Sequence, residues 1–308
     1  MARNQVTWAA VQAASTAILK EGLSLLVRGK APEGVAPTYP GNYLALKDGV
    51  PLYIGESKSV GSRVAQHRDA KSPFCKSLAK AFGETVTAED VEFHYLHTIF
   101  GRKDMEEYGM FSLGPQFNKS HKGRIFPEPT TEKASCKWHA VYSTYAGCWK
   151  ASLVDTTISW HTVEANLEQI LEDGKAALFA VEPRPILHHE KLAMPGVYLI
   201  SRGEEVFYIG ESVDLASRLG THCKNARFSA FRRSVAEREL GFTLKTKQEL
   251  GDEKSTDTKR SHLAPEEEAA INEFLEGCKV RYMPVCIGRI ELEEFLIREV
   301  DPKLNKRR

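Results

Sequence analysis

At 308 residues, 42% hydrophobic and 27% charged, the chain has the composition of an ordinary soluble globular protein and room for two domains of about 150 residues each. A net charge of +1 gives no global attraction to nucleic acid. The lack of an apolar run of roughly 18 residues excludes a membrane-spanning helix. The first residues show no apolar core of a secretory signal. The six cysteines (Cys75, Cys136, Cys148, Cys223, Cys278 and Cys286) form no C-x-x-C pair. They read as reduced thiols of a cytoplasmic protein, not as a zinc site or a disulfide framework.

In chain order, Trp8, Val11, Ile18 and Leu19 recur at helical spacing. Thr7 fits as N-cap and Gly22 as a stop. Tyr43 to Ile54 alternates apolar and polar residues around Asp48-Gly49, the pair that supplies the positive φ angles of a tight hairpin. Arg63 and His67, four apart, share one face of a following helix. Ser72-Pro73 opens a second helix that ends near Gly83. Val91–His97 reads as a third strand, and Gly101–Tyr108 as a helix leading to Pro115 and Asn118.

The chain then repeats itself. Trp8 recurs as Trp160 at an offset of 152 residues, with Ser159 as N-cap and Gly174 as the matching stop. Tyr43, Tyr53, Arg63 and His67 recur as Tyr198, Tyr208, Arg218 and His222 at a constant offset of 155. The second hairpin turns at Arg202-Gly203. Its third strand, Lys279–Val285, contains Pro284, which belongs at a sheet edge or a strand end. Glu106 and Asn118 recur as Glu293 and Asn305 at an offset of 187, so the second copy carries an insertion of 32 residues between His222 and Glu293. The insertion comprises a polar tract, Lys245–Arg260, expected as a mobile loop, and a helix, Pro265–Glu276. These markers divide the chain into residues 1–125, a linker at 126–158 with an aromatic stretch Trp138–Trp149, and residues 159–308.

Two tyrosines, an arginine, a histidine, a glutamate and an asparagine are therefore kept in register twice. Tyrosine can take or give a proton, and its ionised form needs nearby cations. Arginine forks onto phosphate oxygens. A single carboxylate with waters can hold Mg²⁺. The set points to metal-assisted attack of water on a phosphodiester. Basic residues flank each copy: Lys58, Arg68, Lys71 and Lys76 in the first, Lys224, Arg227, Arg232 and Arg233 in the second. They are candidates for contacts to DNA phosphates.

The spacing Gly41-Asn42-Tyr43, then Tyr53-Ile54-Gly55, then Arg63, Glu106 and Asn118, with its second copy beginning Gly196-Val197-Tyr198, resembles the GIY-YIG nucleases. The Arg-x-x-x-His pair is nearest to their type II restriction branch. The resemblance implies an α/β (α+β) fold of two tandem domains, each a small three-stranded antiparallel sheet flanked by helices. It implies that Tyr43 and Tyr198 help deprotonate the attacking water, and that Arg63 and Arg218 stabilise the transition-state charge. It also implies that Glu106 and Glu293 bind Mg²⁺ or Mn²⁺. On the same resemblance, Tyr53, Tyr208, His67 and His222 would position water or the first tyrosine, and Asn118 and Asn305 would brace the site. The implied activity is a double-stranded DNA endonuclease leaving 5′-phosphate ends, a restriction enzyme acting as a monomeric, covalent pseudo-dimer. The alternatives are a structure-selective repair or anti-phage nuclease, one that requires a modified base, or a DNA-binding protein without catalysis.

Overall fold

The computed structural model describes residues 6–29, 37–118, 158–188 and 192–305. By their contacts they form two units, Met1–Ile170 with Cys286–Glu291, and Leu171–Val285 with Leu292–Arg308. The expected linker, apart from Ile158, and the aromatic stretch within it lie outside the described residues.

The first unit opens with helices α1 (Trp8–Ala13) and α2 (Ser15–Arg28), one apolar-striped run broken at Ala14. Thr7 caps it, accepting from the Ala10 amide at 3.3 Å. Trp8, Val11, Ile18 and Leu19 are buried, so Trp8 is a core anchor with no face left for stacking on DNA. Gly22 does not end the helix. Helix α2 runs through it because a bare Cα is needed there: a Cβ would lie 2.4 Å from Met105 Cε and 2.7 Å from the Trp160 ring. Gly22→Ala is accordingly expected to lower stability by about 1–3 kcal/mol from overpacking, against a helix-propensity gain of about 1 kcal/mol. An unchanged or raised melting temperature would contradict that close approach.

The sheet of this unit has the order β2-β1-β3, all antiparallel, from β1 (Gly41–Lys47), β2 (Val50–Ser57) and β3 (Glu92–His97). Asp48 and Gly49 turn the hairpin with φ of 50° and 76°, the two positive angles that a type I′ turn requires. Helix α3 (Val60–Arg68) follows. Helix α4 (Pro73–Phe82) is capped by Ser72 and ends at Gly83, and α5 is Arg102–Leu113.

The start of α5 is held by the segment Cys286–Glu291. The Glu291 carboxylate accepts from the Gly101 amide and from Arg102 Nε, each at 3.0 Å, a carboxylate at a helix N-terminus where backbone donors are unpaired. Arg289 donates to Asp104 at 3.1 Å and to Glu107 at 3.0 Å, and Asp104 accepts from the Gly288 amide at 2.7 Å. All these groups are buried, so each charge survives only because its partner is in place.

Helices α6 (Trp160–Ala165), capped by Ser159, and α7 (Leu167–Ala180) repeat the opening helical pair. Gly174 sits inside α7, as Gly22 does inside α2, and is no stop. The sheet of the second unit, from β4 (Arg184–Pro185), β5 (Gly196–Arg202), β6 (Glu205–Ser212) and β7 (Cys278–Pro284), has the order β4-β7-β5-β6. It holds one strand more than expected, the two-residue edge strand β4, where proline is tolerated. Pro284 falls on the last residue of β7. The hairpin turns one residue later than its Arg-Gly pair indicates. Arg202 stays in β5, paired with Glu205, and Gly203 takes φ of 60°, the single positive angle that a type II′ turn places first.

Helices α8 (Leu215–His222), α9 (Ala230–Arg238), α10 (Pro265–Glu276) and α11 (Arg289–Val300) complete the chain. The tract Lys245–Arg260 has no helix or strand, but it is tied down. Lys245 and His262 exchange backbone hydrogen bonds at 2.9 and 3.0 Å, Lys245 Nζ reaches Glu267 at 2.9 Å, and Asp257 pairs with Arg227 at 2.9 Å.

Candidate active site

Strand register places Tyr43 opposite Gly55. Its ring lies across that glycine: a Cβ at Gly55 would fall 2.3 Å from the Tyr43 hydroxyl. Tyr198 lies across Gly210 with the same 2.3 Å approach. The last glycine of each Tyr-Ile-Gly thus opens the path by which the buried hydroxyl reaches the next helix. There Tyr43 Oη lies 2.8 Å from His67 Nε2, and Tyr198 Oη lies 2.8 Å from His222 Nε2. The second tyrosine stacks on the first, with ring centroids 6.0 Å apart for Tyr43 and Tyr53 and 6.3 Å for Tyr198 and Tyr208. Arg63, one turn before His67, is exposed and donates to Gln66 at 3.0 Å.

Burial pushes the Tyr43 phenol far above the ordinary range, and the neighbouring Tyr53 adds to the shift while Arg63 opposes it. Tyr198 is raised in the same direction by burial and by Tyr208, with Arg218 opposing. Both resting tyrosines are neutral. Burial, helped by Arg63, holds His67 down to about 4, so at neutral pH its imidazole is uncharged. His222 Nδ1 lies 2.7 Å from Ser229 Oγ, which also accepts from the Arg232 amide at 3.1 Å. A proton on Nδ1 donated to that serine leaves Nε2 as the acceptor for Tyr198.

His67 also sets an acid limit on stability. The unfolded imidazole takes up its proton near pH 6.5 and the folded one only near 4. The unfolded state therefore binds more protons in that window, and stability falls as the pH drops through it, by roughly 3 kcal/mol at most. His67→Gln is expected to flatten that acid slope in denaturant melts between pH 7 and 4. A slope identical to the parent would show that His67 titrates normally.

Glu106 projects from α5, nearly buried, and its carboxylate carries an ion pair with Lys103 one turn earlier. Burial raises the Glu106 carboxyl above its usual range while Lys103 pulls it down, with Glu107 and Glu56 adding negative charge nearby. Glu293 is half-buried on α11, near enough to Tyr198 for its charge to help raise the phenol. Asn118 locks β2 in place, since its side chain accepts from the Ile54 amide at 3.0 Å and donates to the Ile54 carbonyl at 2.7 Å. Asn305 does the same for Ile209, at 2.8 Å in both directions.

Among the described residues no three His, Cys, Asp or Glu side chains form a ready-made metal cage. The donor set still suits a hard dication. Each candidate site offers one glutamate carboxylate, Glu106 or Glu293, and Mg²⁺ is commonly held by one or two carboxylates with waters and phosphate oxygens. At Glu106 a cation already sits on that carboxylate, the Lys103 ammonium.

The basic residues divide. Lys58, Lys71, Lys76 and Lys224 are exposed. Arg68, also exposed, lies over the Phe93 ring at 5.6 Å. Arg227 is paired with Asp257, and Arg233 donates to the carbonyls of Ala226 and Arg227 at 2.9 and 3.0 Å. Arg232 is no phosphate contact: it is fully buried, donating to the His222 carbonyl at 3.3 Å and pairing with Glu268. Glu268 belongs to the inserted helix α10 and also accepts from the Ala226 amide at 2.8 Å. The insertion therefore braces the helix end that carries His222.

Sequence spacing brings the tyrosines, arginines, histidines, glutamates and asparagines to notice. It passes over Lys103 and Glu268. A signal for Lys103 existed: the repeat places Ile290 at the same helix position ahead of Glu293, a charge difference at an otherwise matched site. The family model described as the GIY-YIG catalytic domain matches residues 188–308. That part of the chain resembles a GIY-YIG catalytic domain, which supports a nuclease of that type. No curated protein and no solved structure matches the chain.

Proposed function

We propose that the protein is a GIY-YIG nuclease, a divalent-metal-dependent restriction endonuclease of double-stranded DNA, with two active sites on one polypeptide, one for each strand. The observation that carries this reading is the same tyrosine–histidine pair, at 2.8 Å, in both halves of the chain. Each pair has an arginine one turn before the histidine and a glutamate at the matched position. The family match covers only residues 188–308. Residues 41–118 join the reading because they present the same side chains in the same strand register.

In each site the neutral tyrosine takes a proton from the attacking water as its own proton passes to the neutral histidine. This relay avoids a free phenolate, which burial makes too costly. The water oxygen bonds to phosphorus as the bond to the 3′ oxygen breaks, leaving a 5′-phosphate and a 3′-hydroxyl that takes its proton from solvent. Arg63 and Arg218 reach the non-bridging oxygens, where charge grows. Glu106 and Glu293 would hold Mg²⁺ or Mn²⁺, which supplies Lewis-acid stabilisation of the phosphate and leaving group. The exposed lysines Lys58, Lys71, Lys76 and Lys224 and Arg68 would follow the DNA backbone, adding affinity and salt dependence without base preference. In this reading the protein is cytoplasmic and works as a monomer.

The test is run-off sequencing of products from unmodified, methylated and glucosylated duplexes incubated with Mg²⁺. Paired cuts at a defined position, with 5′-phosphate ends, support the proposal. Cleavage confined to modified or branched DNA would move it to a modification-dependent or structure-selective nuclease, and no metal-dependent cleavage of any duplex would refute it.

A further inference from the structure

The segment that follows the His222 helix holds an aromatic ring out in solvent. Phe228 is 64% exposed, more than any other large apolar side chain among the described residues. It ends a short 3-10 turn, Ala226–Phe228, between α8 and α9. Isolated apolar side chains are common on protein surfaces, and a loose loop can fold such a ring back to remove it from water. This turn is not loose. Ala226 is buried, and its amide donates to Glu268 at 2.8 Å. Arg233 donates to the carbonyls of Ala226 and Arg227 at 2.9 and 3.0 Å. The Arg227 guanidinium lies 5.0 Å from the Phe228 ring centroid and pairs with Asp257 at 2.9 Å. Lys224, just before the turn, is exposed.

The first copy has no counterpart. Ser72 and Ser229 both cap the next helix, accepting from the amides of Cys75 and Arg232 at 3.1 Å. Ser72 follows His67 by five residues, whereas Ser229 follows His222 by seven. The longer connection carries Arg227 and Phe228, while the shorter one, Arg68-Asp69-Ala70-Lys71, contains no aromatic residue.

We propose that Phe228 is a wedge that enters the base stack of DNA bound at the second site. This rests on the reading of DNA as the substrate. Lys224 and Arg227 bring the phosphate backbone to the turn, and the ring inserts at a base step. Apolar wedges of this kind partly unstack the duplex and kink it. Every base has a π-face, so the contact adds affinity with little demand on sequence. The bonds at Ala226 and Arg227 keep the ring extended before DNA arrives, which lowers the cost of ordering it on binding. The kink falls beside the second site alone, and the two halves of the chain grip the duplex unequally.

The test compares sheared unmodified plasmid DNA in EDTA with heparin, a polyanion that has no bases. Phe228→Ala is expected to bind the DNA about tenfold more weakly than the parent, the scale of one lost base stack, and to leave heparin at the same salt concentration. Phe228→Trp is expected to keep the parent's DNA affinity, with its added indole fluorescence quenched by DNA and not by heparin. A Phe228→Ala chain that binds DNA as tightly as the parent overturns the proposal, as does equal weakening towards DNA and heparin. Sedimentation that shows the parent as a dimer and Phe228→Ala as a monomer assigns the ring to self-association and also overturns it. A parent chain that binds no DNA at all overturns the underlying substrate reading instead, which tells the two failures apart.

Discussion

Glu106→Ala and Glu293→Ala chains are each expected to turn supercoiled plasmid into nicked circle and stop there, while the double variant leaves the plasmid intact. In the proposed reading one tyrosine–histidine pair with one arginine serves one phosphate, and a duplex break then needs both sites. In that reading, removing the carboxylate assigned to the dication removes the metal's stabilisation of the phosphate and leaving group. A loss of about 10³-fold or more in the rate of the altered site is the scale expected when a preorganised electrostatic group is deleted. The nicked product would carry its break on one strand for one variant and on the other strand for its counterpart, as strand-specific end-labelling reads directly. If either variant linearises plasmid at the parent rate, one half of the chain contributes no chemistry and the two-site proposal is wrong.

Glu268→Ala is expected to have the largest effect on stability of any single change considered, at about 3–5 kcal/mol. Arg232 has no exposed surface and keeps its charge inside the second unit through Glu268, the Glu268 carbonyl and the His222 carbonyl. Truncating Glu268 leaves a buried guanidinium without a counter-charge, which costs far more than the intact pair gains. The Ala226 amide loses its acceptor as well. Because Arg232 also touches the backbone of His222, the second site should lose activity at temperatures where the chain is still folded. Changing both partners, as in Arg232→Met with Glu268→Leu, should recover much of the stability, since neither charge is then stranded. A Glu268→Ala chain as stable as the parent in denaturant melts would mean that Arg232 finds another partner.

Much of the site is visible along the chain because its chemistry depends on residue type and on short spacings. Arg63 and His67 share a helix face because they are four apart. Tyr43 and Tyr53 become strand neighbours because Asp48-Gly49 closes a hairpin between them. The limits of that reading are equally physical. Gly22 and Gly174 carry the mark of helix stops, yet both helices run on. At Gly22 the reason is a distant pair of side chains, Met105 and Trp160, that need the missing methyl's space. Arg232 sits in a basic run suited to a DNA-facing surface, but a glutamate 36 residues later draws it into the core. The second hairpin turns at Gly203-Glu204 because one positive φ, correctly placed, is enough.

Residue identities and their offsets along the chain are sufficient to mark the duplicated chemistry, the hairpins, the helix caps and the inserted segment, since each depends on local backbone preference or on residues a few positions apart. Contacts across long separations decide the rest. The Gly-Arg steps at Gly101-Arg102 and Gly288-Arg289 are plain as a repeated pattern. Only the folded chain brings Glu291 to the amide of Gly101 and Asp104 to that of Gly288, and so carries Cys286–Glu291 into the first unit. A buried charge must find its partner wherever the chain can deliver one, and that delivery is a property of the tertiary structure.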